Sequence, residues 1–567
     1  MLHNNVPIMT IFRILKKTSI ILLSSCLVVG CDQDSSSSLP LEELQTIRPN
    51  ILLILADDLG YSDIGAFGGE ISTPNLDALA MGGVRMTNLY AAAACSPTRS
   101  MLMSGVDNHR AGLGNMIELR KSNQEGKLGY EGYLNHDVVS IATLLKDAGY
   151  HTYMAGKWHL GYEDDQSPMA RGFEQSFALL NGAGSHFDHS PASKVLEKAI
   201  YRENEKLIDL PEDFFSSEYY TDKMIEYLKS NENDGKPFFG YLTFTAPHWP
   251  LQAPDDYIDK YKGKYDSGYN VLREERIQRM EELGIIEADV DMTSSSEKGT
   301  LNWNGLSPLS KQIKSREMEI YAAMVDNMDY HIGRVVDYLG ATAQRDNTLI
   351  IFMSDNGPAS GRINRSPNRP QSWIDANFDT SFENMGKKGS YTYYDTHWTE
   401  AGVGVSRLFK GHPTEGGINV PGIINYPSKL ENLKGEISNE LMTVLDLAPT
   451  FLELAGTEHP GTEYKGRTVI PHVGKSAASF INGTSNTIHD EKYTMVWELF
   501  NRIGIRNGDW KMTKIPEPIG TGKWELFDLK NDPGETKDIK ANHQEQFQKM
   551  IKVWDDYVVE NGVVLGE

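Results

Sequence analysis

The chain has 567 residues, a formal net charge of −23 and a 40% hydrophobic fraction. That apolar content is enough for a large buried core, and the acidic balance excludes a nucleic-acid binder working through a basic surface. Only three cysteines are present, Cys26, Cys31 and Cys95, so no disulfide framework beyond one bridge can form.

Arg13, Lys16 and Lys17 precede an apolar run from Thr18 to Gly30. A positive start and a short apolar stretch predict an export signal. The run is shorter than the ~20 residues a spanning helix needs. It ends Val28-Val29-Gly30-Cys31, which is similar to a bacterial lipobox, in which Cys31 would be lipidated and become the amino terminus. Ordinary cleavage nearby, giving a soluble periplasmic protein, is the alternative. The serine-rich stretch Asp32 to Leu39 predicts a flexible tether. The expected organisation is a lipoprotein-type signal over 1–30, a tether over 31–47, a catalytic domain over 48–456 and a carboxyl-terminal subdomain over 457–567, exported to the cell envelope. The membrane is then met only through the lipid on Cys31, and Cys95 is the lone cysteine of the mature chain.

The mature chain opens with Ile51 to Leu55, a continuous apolar run that predicts a strand buried on both faces. It runs into Asp57-Asp58, at the strand end where α/β sheets place their sites. Thr73-Pro74 predicts a helix start, and Val84 to Tyr90 alternates as a strand. Asp137 to Gly149 is amphipathic and stops at glycine, predicting a helix, with Tyr150 to Met154 as the next strand. Phe238 to Thr245 and Asn347 to Ser354 are strongly apolar strands, the second ending in Asp355-Asn356. Glu317 to Leu339 and Leu441 to Leu454 have helical spacing. Alternating strands and helices over residues 50–456 predict an α/β sandwich. Beyond Gly456, Met495 to Ile505 and Trp510 to Ile515 around Asn507-Gly508, then Lys523 to Leu529, predict an antiparallel sheet. A final helix is expected from His543 to Val558.

The chemistry centres on Cys95-Ser96-Pro97-Thr98-Arg99. Cysteine, proline and arginine at this spacing arise by chance in roughly one or two chains per hundred of this length. The segment resembles the sulfatase signature, which marks a thiol for oxidation to formylglycine. Gly156-Lys157-Trp158-His159-Leu160-Gly161 resembles the second signature of that family. Asp57-Asp58, Asp355-Asn356, Pro247-His248 and Lys410 with Glu415-Gly416-Gly417 match its remaining segments, all in family order. Pro250 to Val290 is similar to bacterial arylsulfatases in particular. Thr98 departs from the serine many sulfatases carry, but keeps a hydroxyl.

Each residue also has a plainer reading. The aspartate pairs could be solvated turns, Lys157 and Lys410 surface charges, His159 and His248 loop residues, and Trp158 and Trp249 packing residues. Cys95 reads as a loop residue.

The resemblance implies an alkaline-phosphatase-like α/β sandwich, with a large mixed, mostly parallel sheet and a small antiparallel carboxyl-terminal subdomain. It implies hydrolysis of aryl or alkyl sulfate monoesters with one Ca2+ held by Asp57, Asp58, Asp355, Asn356 and residue 95. An all-oxygen set suits such a hard cation. A maturation enzyme would convert Cys95 to formylglycine. In this scheme Arg99, Lys157, His159, His248 and Lys410 surround the sulfate, and Arg99 and Lys157 also hold the aldehyde hydrate. Asp355 acts as base, His248 with Lys410 protonates the leaving oxygen, and His159 takes the last proton. The alternatives are a phosphate or phosphonate ester hydrolase of the same superfamily, a sulfatase of sulfated carbohydrate, and a non-catalytic envelope binding protein.

Overall fold

The computed structural model describes residues 48–288, 290–291, 302–361 and 367–567. The leader, the lipobox and the tether lie outside the described residues. No described helix is long and apolar enough to cross a membrane.

The run Ile51 to Leu55 forms the centre of strand β1 (Asn50–Ala56). Every residue of the run is fully buried, because the sheet is covered on both sides. Leu52 and Ile54 enter one apolar core, while Ile51, Leu53 and Leu55 enter the other. This is the period-two alternation of a strand, with both faces apolar. The other strands of this sheet are β2 (Val84–Tyr90), β3 (His151–Lys157), β4 (Gln175–Leu179), β5 (Tyr201–Glu203), β6 (Lys206–Ile208), β7 (Phe238–Thr243), β8 (Thr348–Ser354), β9 (Asn419–Asn425), β10 (Glu436–Ser438) and β11 (Met442–Thr443). Their order is β10-β2-β9-β8-β1-β7-β3-β4-β5-β6, with β11 also on β2. The central pairs β8-β1, β1-β7, β7-β3 and β3-β4 are parallel, and β9 runs antiparallel between β2 and β8. The sheet is therefore mixed and mostly parallel, as expected.

Helices Ser216–Ser230 and Pro308–Ala341 supply one core. Helices Cys95–Ser104, Ile141–Asp147 and Leu447–Leu454 supply the other. Several bounds differ from the sequence expectation for local reasons. The helix expected from Asp137 starts at Ile141, where the Ser140 hydroxyl accepts from the Ala142 N–H at 3.1 Å. The long helix starts at Pro308, capped by Ser307. The segment from Leu441 first forms strand β11 beside β2, passes through a 3-10 turn at Val444–Asp446 and becomes α-helical at Leu447. Cys95 is not a loop residue but the first residue of a helix.

A ribbon, β12 (Glu463–Tyr464) and β13 (Arg467–Thr468), precedes an antiparallel sheet of β14 (Thr494–Leu499), β15 (Arg502–Asn507), β16 (Trp510–Lys514) and β17 (Trp524–Asp528). The expected single run Met495 to Ile505 is split by a tight turn at Phe500 and Asn501, whose φ angles are 59° and 63°. Helix Gln544–Asn561 packs on this sheet through Met550, Ile505, Met512 and Leu526.

Two buried polar clips tie this layer to the large sheet. Glu415 accepts from Lys511 Nζ at 2.7 Å and from the Tyr90 hydroxyl at 2.6 Å. His109 sits between Asp107 Oδ1 at 3.1 Å and Glu498 Oε2 at 3.0 Å, and the Tyr557 hydroxyl donates to Asp107. Burial alone would lower the His109 pKa. Hydrogen bonding and charge from Asp107 and Glu498 outweigh it and raise the imidazole from 6.5 to about 9.

A pKa raised in the folded state contributes stability that is complete below the unfolded value and is lost as pH rises through the folded one. Between pH 6.5 and 9 the native protein should therefore lose about 3 kcal/mol relative to a His109→Gln variant. Denaturant unfolding at stepped pH measures this; parallel profiles for the two proteins would contradict it.

Candidate active site

Strands β1 and β8 are parallel neighbours with Ala56 opposite Ser354. The residues that follow, Asp57-Asp58 and Asp355-Asn356, therefore leave the sheet side by side. All four are buried. Asp58 has a φ of 66°, a left-handed conformation uncommon for a non-glycine residue. Its N–H donates to Asp355 Oδ1 at 3.3 Å.

Cys95 starts its helix with Sγ 3.4 Å from Asp57 Oδ1 and 3.9 Å from Asp58 Oδ1. Burial pushes the thiol pKa up, and Asp355 adds to the effect. The Thr98 hydroxyl accepts from the Ala92 N–H at 2.9 Å and so fixes the chain entering the helix. This bond needs a hydroxyl and not the methyl, which explains why serine or threonine serves.

Arg99 is fully buried and donates from Nε and Nη2 to Asp355 Oδ2 at 3.0 and 2.8 Å. Its Nη1 donates to the Lys157 carbonyl at 2.7 Å. Lys157 Nζ binds both oxygens of Asp57 at 2.9 and 2.7 Å. Each of these cations is thus paired with one carboxylate, Arg99 with Asp355 and Lys157 with Asp57.

The cavity in front of the site has a volume of about 1230 Å3, and Cys95, His159, His248 and Lys410 are in its wall. Lys410 Nζ stands 2.6 Å from Asp58 Oδ1 and 3.1 Å from Cys95 Sγ. Burial disfavours its charge, but Asp58 and the other acids overcome this and raise its pKa. The Lys410 loop packs on Gly416, where a Cβ would lie 2.0 Å from the Leu408 carbonyl oxygen. That is the physical reason for glycine in Glu415-Gly416-Gly417.

His248 Nδ1 lies 2.6 Å from the Trp249 carbonyl, so that nitrogen carries the proton, and Nε2 faces Asp58 Oδ2 at 3.4 Å. Burial, with Lys410 and Lys157, keeps the ring neutral. His159, at a φ of 57°, places Nε2 3.2 Å from Glu118 Oε1. Gly182 leaves room for it, since a Cβ there would lie 2.6 Å from His159 Cε1. Glu118 was not anticipated from sequence. It sits in a single 3-10 turn, Ile117–Leu119, with no motif around it. Trp158 is fully buried and bonds the Gln166 carbonyl, a packing residue as expected, whereas Trp249 lines the cavity.

Three buried carboxylates, Asp57, Asp58 and Asp355, thus face three cations, Arg99, Lys157 and Lys410. Two oxygens, Asp58 Oδ2 and Asn356 Oδ1, are buried without any hydrogen-bond partner. An unpaired buried acceptor is costly, and a hard cation would satisfy both. Donor atoms of Asp57, Asp58, Cys95 and His248 lie within 4.8 Å of one another. The residues fit an oxygen-bound divalent ion. Burial raises Asp57 to about 7 despite Lys157, with repulsion from Asp355 and Asp58 adding to it. Asp355 differs: burial would raise it, but Arg99, Lys157 and Lys410 hold it below the ordinary carboxylate value. The carboxylate nearest to residue 95 is Asp57, at 3.4 Å, with Asp58 at 3.9 Å.

A buried thiol at a helix start, an oxygen-rich pocket and Lys410 in the cavity wall are parts that an α/β hydrolase of anionic esters requires. A family model described as Sulfatase matches residues 49–457, and one described as N-sulphoglucosamine sulphohydrolase, C-terminal, matches residues 409–558. The chain is 43% identical to an uncharacterized sulfatase of Schizosaccharomyces pombe, over 92% of this chain and 96% of that one. It is 39% identical to an arylsulfatase of Klebsiella aerogenes, over 77% and 92% respectively. The crystal structure of Ps i-CgsB in complex with k-i-k-neocarrahexaose shares the fold, with a TM-score of 0.64 and 22% identity over 92% of this chain and 95% of that one. The chain belongs to the sulfatase family.

Removing Arg99 would leave Asp355 as a buried carboxylate without its fork of donors. Arg99→Ala should cost about 3–5 kcal/mol of folding stability, and Arg99→Lys should recover only part of it, since lysine cannot reproduce the bidentate geometry. Denaturant unfolding measures both; a stability loss below about 1 kcal/mol for the alanine variant would contradict the pairing.

Proposed function

We propose that this sulfuric ester hydrolase works as an exported, Ca2+-dependent enzyme acting on sulfate monoesters through a formylglycine made from Cys95. One observation carries the proposal. Residue 95 stands in the cavity wall in contact with both Asp57 and Lys410, so a reacting group there meets a carboxylate and a cation together.

Asp57, Asp58, Asp355 and Asn356 would hold the ion, with His248 at its edge. When bound, the cation supplies positive charge to the sulfate oxygens and lowers the proton affinity of the group at position 95. The aldehyde hydrate supplies a nucleophilic hydroxyl together with an exit that a serine ester lacks.

The chain's own residues do the remainder. Lys410 neutralises the ester at the cavity side and carries a proton at Nζ. Asp57 is the nearest carboxylate acceptor for a proton leaving residue 95. Arg99 and Lys157 hold Asp355 and Asp57 in place. His248 gains a proton on Nε2 when an incoming anion offsets Lys410 and Lys157, and then serves the leaving oxygen. His159 keeps its proton on Nε2 toward Glu118, which leaves Nδ1 free to accept one from position 95.

Oxidation of Cys95 exchanges sulfur and two hydrogens for one oxygen. The peptide containing residue 95 from active native protein should show that mass, and an unmodified thiol in active protein would refute the mechanism. Cys95→Ala should abolish sulfate release while circular dichroism stays unchanged. Loss of the folded spectrum would identify a structural cysteine instead.

Chelation should lower both activity and melting temperature, with Ca2+ restoring the two together. A melting temperature indifferent to chelator and Ca2+ would count against the carboxylate site. Release of phosphate in preference to sulfate from matched esters would favour the phosphate-ester alternative.

A further inference from the structure

The wall of the reaction cavity contains a cation that the chemistry at residue 95 does not use. Arg369 places its guanidinium 4.0 Å from the centroid of the Trp249 ring. Both residues line the cavity together with Cys95, His248 and Lys410. The Trp249 ring in turn lies 4.2 Å from the His248 ring. Arg369 is therefore one aromatic ring removed from the reacting centre.

Its electrostatic situation is unusual for a partly buried arginine. No described residue makes a hydrogen bond or ion pair to it, and its Nε is buried without a partner. Of the other cations in the cavity wall, Lys410 pairs with Asp58 at 2.6 Å, Lys198 pairs with Asp209 at 3.2 Å, and Arg502 donates to the Gly411 carbonyl at 2.6 Å; Lys121 lies at the wall as well. The direct contact of the Arg369 guanidinium is the aromatic face of Trp249. A guanidinium held this way keeps its donor fork available and pre-oriented, because stacking fixes the plane. Trp249 is itself braced by an apolar cluster of Tyr391, Trp373, Phe378 and Ile374. Tyr391 fixes that cluster to the wall by donating to the Ala192 carbonyl at 2.6 Å. The platform is built and partly desolvated; the nearby Glu118 carboxylate attracts the guanidinium through space but makes no ion pair with it.

Taking sulfate-ester hydrolysis at residue 95 as given, we propose that Arg369 on Trp249 forms a second anion subsite. It binds a further negative group, a carboxylate or another sulfate, on the alcohol portion of the substrate. The preferred substrate is thus a sulfate ester that carries at least two negative charges. The reacting sulfate goes to residue 95 and Lys410, and the second anion goes to the guanidinium fork. A charge-assisted bond of this kind is worth enough to change KM roughly tenfold to a hundredfold.

The test compares three substrates with mature native enzyme: nitrophenyl sulfate, an aryl sulfate with one ring carboxylate, and an aryl disulfate. The readout is the ratio of KM for the singly charged ester to KM for each doubly charged one. Native enzyme should give a ratio of ~10 or more on at least one arm, and the responding arm identifies the second anion. Arg369→Gln should collapse that ratio toward one, and Arg369→Lys should restore part of it. A native ratio near one, or an Arg369→Gln variant that raises KM equally for all three substrates, would overturn the subsite while leaving sulfate hydrolysis intact. Failure of active, Ca2+-loaded enzyme to release sulfate from any of the three would overturn the hydrolysis itself and the subsite with it.

Discussion

Everything at the end of the central sheet depends on burying three carboxylates against three cations. Asp57 with Lys157 and Asp355 with Arg99 are fully enclosed pairs, and Asp58 with Lys410 completes the set at the cavity edge. Enclosing such charges costs more than a surface pair ever would, and only close pairing with further hydrogen bonds makes it tolerable. The sheet supplies that closeness. Parallel register between β1 and β8 brings the two acidic pairs out side by side, and β3 delivers Lys157 from two strands away. The polar cluster is a consequence of an apolar scaffold that leaves it nowhere else to go.

The cluster divides into two layers with different duties. Arg99 and Lys157 stand behind the carboxylates and fix their orientation. Lys410, His248 and His159 stand in front, in the cavity wall. Left-handed backbone at Asp58 and His159 shows where the chain departs from easy conformations to achieve this. Two oxygens of this cluster, Asp58 Oδ2 and Asn356 Oδ1, are buried without a hydrogen-bond partner, and a cation would satisfy both.

How much of this could be read from sequence follows from how the residues are buried. Strands β1 and β8 were legible because a strand enclosed on both faces must be apolar throughout, and their terminal aspartates then stood out. The helix Cys95–Ser104 was not legible as a helix. All ten of its residues are buried, so it has no polar face and no period. Its polar side chains are instead satisfied one by one: Thr98 by Ala92, Arg99 by Asp355, Ser100 by the Pro97 carbonyl. Strand β9 was missed because Pro421 and Gly422 sit inside it, and such residues argue against a strand in isolation. The expected site residues do gather in one place, but sequence could not tell front from back. Glu118 and Arg369 were invisible for another reason: each lies in a segment without periodicity, and each matters only through a partner distant in the chain.

The most direct test of the account is a high-resolution crystal structure of active native protein grown with Ca2+. It should show one anomalous peak about 2.3–2.6 Å from oxygens of Asp57, Asp58, Asp355 and Asn356, with oxygen and no sulfur in the density of residue 95. Active protein with an intact thiol there, or with no ion among those four side chains, would contradict the central claim.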